Sequence, residues 1–317
     1  MSGGPQRLER TRKKMSFEPG LVHTPLTPFA ADGRIDFERY GTLLDFHLRN
    51  GADALAVPMH AGESVSLPDE EKRALIRFVV ARAGSRAPVI AHVSDAGTGI
   101  AAALARFAQE AGAAAIVTTT PYYWTPPPAM AVEHFAQIGA AVTIPLFVFN
   151  APGEMAGSKI NAAGALKLVE RLPNFAGLVD DSLDWQFMIE LLTDVAPVRP
   201  DFTLLAGSEL LVSAAAIGAG GLFSALAVIA PKLVRRLFDL CRAQKLFEAR
   251  TLQEDAAALR QILKPGGVAS LKAAARIMGR DCGTPRAPLL ALDGAAEKQL
   301  AVQLGALPAL AEEPRGW

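Results

Sequence analysis

The chain has 317 residues, half of them apolar and a fifth charged. That composition supplies a large core and excludes a disordered polypeptide. Basic and acidic residues both number 32, so a polyanion such as nucleic acid finds no global attraction. Cys241 and Cys282 are too few for a disulfide framework and form no C-x-x-C pair.

Residues 1–18 read as a mobile N-terminal tail. Arg7, Arg10, Arg12, Lys13 and Lys14 are not followed by an apolar stretch, so they do not make a secretory signal, and a cytoplasmic location is expected. From Leu21 onward, short β-type runs alternate with amphipathic runs. The β-type runs are Leu21–Thr24, Ala54–Val57, Val89–Val93, Ala115–Thr118, Leu146–Asn150, Ala176–Val179, Phe202–Ala206 and Gly221–Ser224. Helical patterns lie between them near 36–50, 68–83, 98–111, 129–141, 161–171, 183–194, 209–217 and 231–243. The repeat is roughly 30 residues, the length of a βα unit. Eight strands apolar on both faces, each followed by a helix, imply a closed (β/α)8 TIM barrel over residues 19–244. An open doubly wound sheet would show a Gly-rich turn after its first strand, and Thr24-Pro25-Leu26-Thr27-Pro28 is not one.

Further helical patterns near 246–262, 267–279 and 294–304, the first two divided by Lys264-Pro265-Gly266-Gly267, form a C-terminal helical appendix over residues 245–317. The longest uncharged run, Leu210 to Pro231, approaches the ~20 residues of a membrane span. Ser213, Gly218, Gly220, Gly221 and Ser224 interrupt it, and it reads as a helix, a turn and a buried strand, with no membrane partner.

In such barrels the chemistry sits where strands end. The candidate positions are Thr24 and Thr27 after strand 1; His60, Ala61 and Glu63 after strand 2; and His92 at the end of strand 3. Next come Tyr122 and Tyr123 after strand 4, Phe149 and Asn150 at strand 5, Val179 and Asp180 at strand 6, Glu209 after strand 7, and Ser224 at strand 8. Asn150 also suits a turn, Asp180-Asp181 an N-cap of the next helix, and Gly218-Ala219-Gly220-Gly221 close packing of strand 8.

Five short motifs follow one another on successive units: Thr27-Pro28-Phe29 with Asp32-Gly33 and Ile35-Asp36; Gly62-Glu63 with Leu67 and Glu70-Glu71; Pro121-Tyr122-Tyr123; Asn150-Ala151-Pro152; and Arg286-Ala287-Pro288-Leu289. On them the chain resembles the dihydrodipicolinate synthase / N-acetylneuraminate lyase family of (β/α)8 barrels, from about Leu21 to Leu304. The resemblance implies lyase or aldolase chemistry on pyruvate or related 2-oxo acids, through a Schiff base on a lysine ending strand 6. It also implies a homo-oligomer, a dimer or a tetramer built as a dimer of dimers, in which Tyr123 reaches toward a neighbouring subunit's site.

Against that pattern the chain departs at the working positions. The family's Gly-Ile/Leu-Lys-Asp/Glu reads Gly177-Leu178-Val179-Asp180, and the proton-relay tyrosine before Asn-x-Pro is Phe149. Gly-Thr-Thr-Gly-Glu reads Met59-His60-Ala61-Gly62-Glu63, and Glu154 stands where an arginine usually follows. The nucleophile, the relay and the anion receptor are therefore expected to be absent. A 2-oxo acid anion would meet Glu63, Asp180 and Glu154, where one like charge at ~4 Å costs about 4 kcal/mol at an effective dielectric near 20. Lys72, Lys167, Lys232 and Lys245 belong to outward helices and Lys272 and Lys298 to the appendix, which leaves Lys159 and Lys264 as amines able to reach the pocket.

Two readings of different class follow. In one, an enzyme uses His60 as acid–base group and Tyr123 as a hydroxyl partner on a small oxygenated substrate, without a cofactor. His60 with His92 and a carboxylate would also suit a divalent metal, but no sequential metal motif supports one, and no metal site is expected. In the other, the barrel has lost catalysis and binds ligands or assembles. A conventional lyase served by Lys159 or Lys264 is a third.

Overall fold

A computed structural model describes residues 17–151 and 158–317; the expected tail up to residue 16 and Glu154 lie outside the described residues. Eight parallel strands close a barrel in the order β1 to β8: β1 Leu21–His23, β2 Ala54–Val57, β3 Val89–His92, β4 Ala115–Thr119, β5 Leu146–Asn150, β6 Phe175–Asp180, β7 Thr203–Ala206 and β8 Gly221–Ser224. The helices that follow them in turn are α1 Phe37–Arg49, α2 Asp69–Ala83, α3 Thr98–Glu110, α4 Pro128–Ala140, α5 Ala162–Arg171, α6 Trp185–Val195, α7 Leu211–Ala216 and α8 Pro231–Arg242. The uncharged run that approached membrane length is α7, a turn and β8. Among the described residues no helix is long and apolar enough to cross a membrane.

The barrel interior is filled by side chains such as Val22, Ile90, Val117, Phe147, Val179, Leu205 and Phe223, a packed core with no pore. Phe17, just before β1, sets its ring edge-on to Phe147 at 6.1 Å. Gly221 permits the closure of β8. A Cβ there would lie 2.6 Å from Leu205 and 2.9 Å from the Gly20 carbonyl, whereas one at Gly218 or Gly220 would make only ordinary contacts, so of the glycines before and in β8 it is Gly221 that serves close packing.

Three helices follow the barrel, α9 Leu246–Leu263, α10 Val268–Ile277 and α11 Gly294–Gly305, and buried polar groups tie this appendix down. Lys272 Nζ lies 2.7 Å from Glu63 Oε1, with both side chains at most 1% exposed. The same amine donates to the Thr284 carbonyl at 3.0 Å and sits over the Phe29 ring. Arg286 pairs with Glu71 and donates to the Gly33 carbonyl. Arg280 donates to the Val228, Ile229, Pro314 and Gly316 carbonyls, while Glu313 accepts the Lys232 and Leu233 N–H groups at the start of α8. Lys272, expected to stay within the appendix, thus reaches the barrel rim, because Glu63 gives its ammonium a buried counter-charge.

His23 on β1 and His47 on α1 are buried with their Nδ1 atoms 3.0 Å apart. Burial, and then the charge of Arg235, lowers His23 to about 3. Burial, then His23 and Arg280, puts His47 well below its ordinary value. Both rings are therefore neutral in the folded protein near pH 7.

Lys272→Met leaves Glu63 buried without its cation and is expected to cost about 3–5 kcal/mol in denaturant unfolding, most of it recovered by adding Glu63→Gln; an unchanged midpoint contradicts the role of the pair. On acidification the unfolded chain protonates both histidines while the folded chain keeps them neutral. Stability is therefore complete above about pH 6.5 and falls below it, by about 2 kcal/mol at about pH 5 from His23, with His47 acting in the same direction. A His23→Asn/His47→Asn double variant should show a correspondingly flatter dependence of unfolding free energy on pH, and an identical dependence contradicts the assignment.

Candidate active site

A cavity of about 470 Å3 opens at the carboxyl ends of the strands, where chemistry in this architecture belongs. Its wall is formed by Thr24, His60, Ala61, Phe149, Phe223 and Glu209 from the barrel. Its roof comes from α9, α10 and the break between them, through Arg260, Gln261, Lys264 and Leu271.

His60 opens the short 3-10 turn His60–Gly62 after β2. Its ring is exposed and lines the cavity. Desolvation by the surrounding protein nonetheless lowers its pKa, against a raising influence from Glu63. A neutral imidazole with an accessible nitrogen is suited to accept a proton.

Several other expected residues are brought to the rim but are committed to structure. Glu63, in the left-handed region at φ 59°, accepts the Arg286 N–H at 2.7 Å besides pairing with Lys272. Thr27 donates to the Gly62 carbonyl at 2.6 Å. His92 Nε2 lies 2.7 Å from Ser94 Oγ. Burial, with Lys72 next, takes His92 down to about 3. Ser224 donates to Glu209 Oε1 at 2.5 Å, and Glu209 Oε2 accepts from Arg260 at 2.9 Å. Among the described residues, no group of three His, Cys, Asp or Glu side chains is arranged to hold a metal ion.

Asn150 staples the two sides of the β5 loop: its amide donates to the Ile160 carbonyl and its oxygen accepts the Ile160 N–H, both at 3.2 Å. Asp180 accepts from the Ser182 N–H at 2.9 Å and the Ser182 hydroxyl at 2.8 Å. Burial raises its pKa against these bonds. Neither Asp180 nor Asp181 caps α6. That role belongs to Asp184, which accepts the Phe187 N–H, because Asp180 is spent closing the turn that precedes it.

Val179 is fully buried and stands in register between Phe149 on β5 and Leu205 on β7. It does not reach the cavity wall. Tyr122 is half-buried, burial and then Asp95 raising its pKa. Tyr123 is not brought to the cavity of its own chain. It is fully exposed, because the backbone turns at φ 82° and carries the ring outward. Lys159 is exposed and outside the cavity wall, whereas Lys264 lines it.

Two participants were not singled out in the sequence. Asp181 lines the cavity. Burial raises its pKa to about 6, opposed by Ser208 and Arg260 and assisted by Glu209 and Asp180. Arg260 enters from α9, distant in sequence from any strand end. Its presence corrects the expectation of a mouth that only repels anions: Glu63 is neutralised by Lys272, Glu209 by Arg260, and Asp180 is turned into its own loop. The adjacent Asp180-Asp181 pair was a signal for Asp181. Arg260 left none, because a helix pattern does not say which barrel end it covers.

The model for the Dihydrodipicolinate synthetase family matches residues 18–307. The 4-hydroxy-tetrahydrodipicolinate synthase of Caldicellulosiruptor bescii is 31% identical over 277 residues, covering 87% of this chain and 92% of that protein. The enzyme of the same name from Prosthecochloris aestuarii is 34% identical over 288 residues, covering 89% and 94%. Among solved structures, dihydrodipicolinate synthase from Bacillus anthracis superposes with a TM-score of 0.86 at 28% identity, covering 93% of this chain and 100% of that one. A prophage protein of the dihydrodipicolinic acid synthase family from E. coli, solved in complex with pyruvate, superposes with a TM-score of 0.86 at 27% identity, covering 91% and 98%. With matches that run through the barrel and into its helical appendix, the chain belongs to the dihydrodipicolinate synthetase family.

Proposed function

We propose that this chain is a divergent enzyme of the family that carries out acid–base chemistry on a small oxygenated substrate without forming an imine on β6. The carrying observation is Val179. It occupies the position that the motif resemblance assigns to the lysine, it has no amine, and it is fully buried between Phe149 and Leu205. Phe149, at the relay position, keeps a ring without a hydroxyl. A ketone bound in the cavity thus finds a hydrocarbon floor where an imine would have to form.

His60 supports the positive half of the reading. Its lowered pKa keeps the ring neutral at pH 7, so it can take a proton from a substrate hydroxyl and return it. A homo-oligomer would let the exposed Tyr123 and Trp124 serve a neighbouring copy, with Tyr123 a hydroxyl partner there. Lys264 is the lysine that lines the cavity, which makes it the amine to watch in any test.

Incubation with pyruvate and borohydride, followed by intact-protein mass and peptide mapping, tests the reading. No lysine adduct is expected; a stoichiometric adduct on Lys264 or Lys159 contradicts it and returns the protein to Schiff-base chemistry. In a screen of neutral hydroxy-carbonyl compounds, His60→Ala is expected to lower turnover about 10²–10⁴-fold. A wild-type protein that neither turns over nor binds any of them would instead be a barrel without catalysis.

A further inference from the structure

Two adjacent carboxylates end β6, and they go different ways. Asp180 turns back onto Ser182 and Asn150, while Asp181 lines the cavity. The room for Asp181 is made by β7. A Cβ at Gly207 would lie 2.5 Å from the Asp181 Cβ and 2.9 Å from its backbone nitrogen, inside the contact distance of carbon atoms. Any side chain at 207 would push Asp181 out of place. Ser208 lowers the carboxyl's pKa against its burial, and the charges facing it are Arg260 on α9, Glu209 after β7 and its neighbour Asp180; His60 and Lys264 line the same cavity. With α6 capped by Asp184, Asp181 has no helix to cap.

We infer that Asp181, seated by Gly207, is a second substrate-facing acid–base residue of the barrel mouth, acting on a hydroxyl of the bound substrate. This rests on the reading that the cavity holds a small oxygenated substrate. In the transfer, the substrate O–H bond breaks, the proton moves to a carboxylate oxygen of Asp181, and the electron pair stays on the substrate oxygen as an alkoxide on the side of the cavity roofed by Arg260. The reverse transfer restores the carboxylate. Burial holds this carboxyl at about 6, where neither form is scarce near neutral pH and a group can both accept and donate. Gly207 is a positioning residue.

Carboxyl-carbon NMR of aspartate-labelled protein, titrated from about pH 4 to pH 8, tests the inference on the whole chain. One midpoint near 6 is expected. It should vanish in Asp181→Asn and rise in Arg260→Gln, which removes the facing cation. In Gly207→Ala, checked for folding by thermal melting, it should return toward the ordinary carboxylate range; should that variant not fold, the first two still decide. Glycerol, a neutral polyol probe, should shift this midpoint and leave Asp180 in place. An Asp181 that titrates near 4, or that glycerol never perturbs, overturns the inference. A borohydride adduct on a lysine would sink the functional reading while leaving this titration untouched, so the two failures are distinguishable.

Discussion

Two carboxylates at the barrel rim hold the C-terminal helices over its mouth. Glu63 takes the Lys272 ammonium from α10, and Glu209 takes the Arg260 guanidinium from α9. Carrying Glu63, Lys272 and Glu209 into low dielectric is costly, Arg260 keeping part of its solvent contact, and the cost is offset only because each anion gains further donors: the Arg286 N–H at Glu63, and Ser224 with the Leu226 N–H at Glu209. The cavity exists because these ties are made. Without the roof, the strand ends would form an open dish.

The same ties decide which groups remain for chemistry. Glu63 and Glu209 are engaged in holding the roof, and Asp180 in shaping a turn. What faces the cavity is a neutral imidazole, His60; a carboxyl raised by burial to about 6, Asp181; and cationic side chains from above, Arg260 and Lys264. The floor is hydrocarbon from Phe149 and Phe223, with Val179 packed beneath the wall. This set suits proton movement on a polar substrate better than covalent capture of a ketone. The cations on the roof make the mouth less hostile to an anion than the strand-end residues alone suggest.

The fold was legible in the sequence almost element by element, since a parallel barrel writes its period directly into alternating apolar and amphipathic runs. Leu21–Thr24, Ala54–Val57 and Gly221–Ser224 are strands to within a residue of their expected bounds. The site was legible only where it lies on strand ends: Thr24, His60, Ala61, Phe149 and Glu209 do line the cavity. Sequence position cannot say which polar residue is spent on a neighbour, so Glu63, Asn150, His92 and Ser224 carried no sign of their internal partners. Nor could it reveal Arg260 or Lys272, whose roles depend on how α9 and α10 fold back over the barrel. Asp181 was overshadowed by Asp180 because the turn that separates their directions is set by Ser182 and Gly207.

The central claim is that no amine stands within bonding distance of a carbonyl carbon at the end of β6. A crystal structure of the protein soaked in pyruvate tests it most directly. Val179 is expected to remain packed against Phe149 and Leu205, with any pyruvate in the cavity unattached to protein. Continuous density from a lysine nitrogen to the keto carbon, on Lys264 or any other residue, would contradict it.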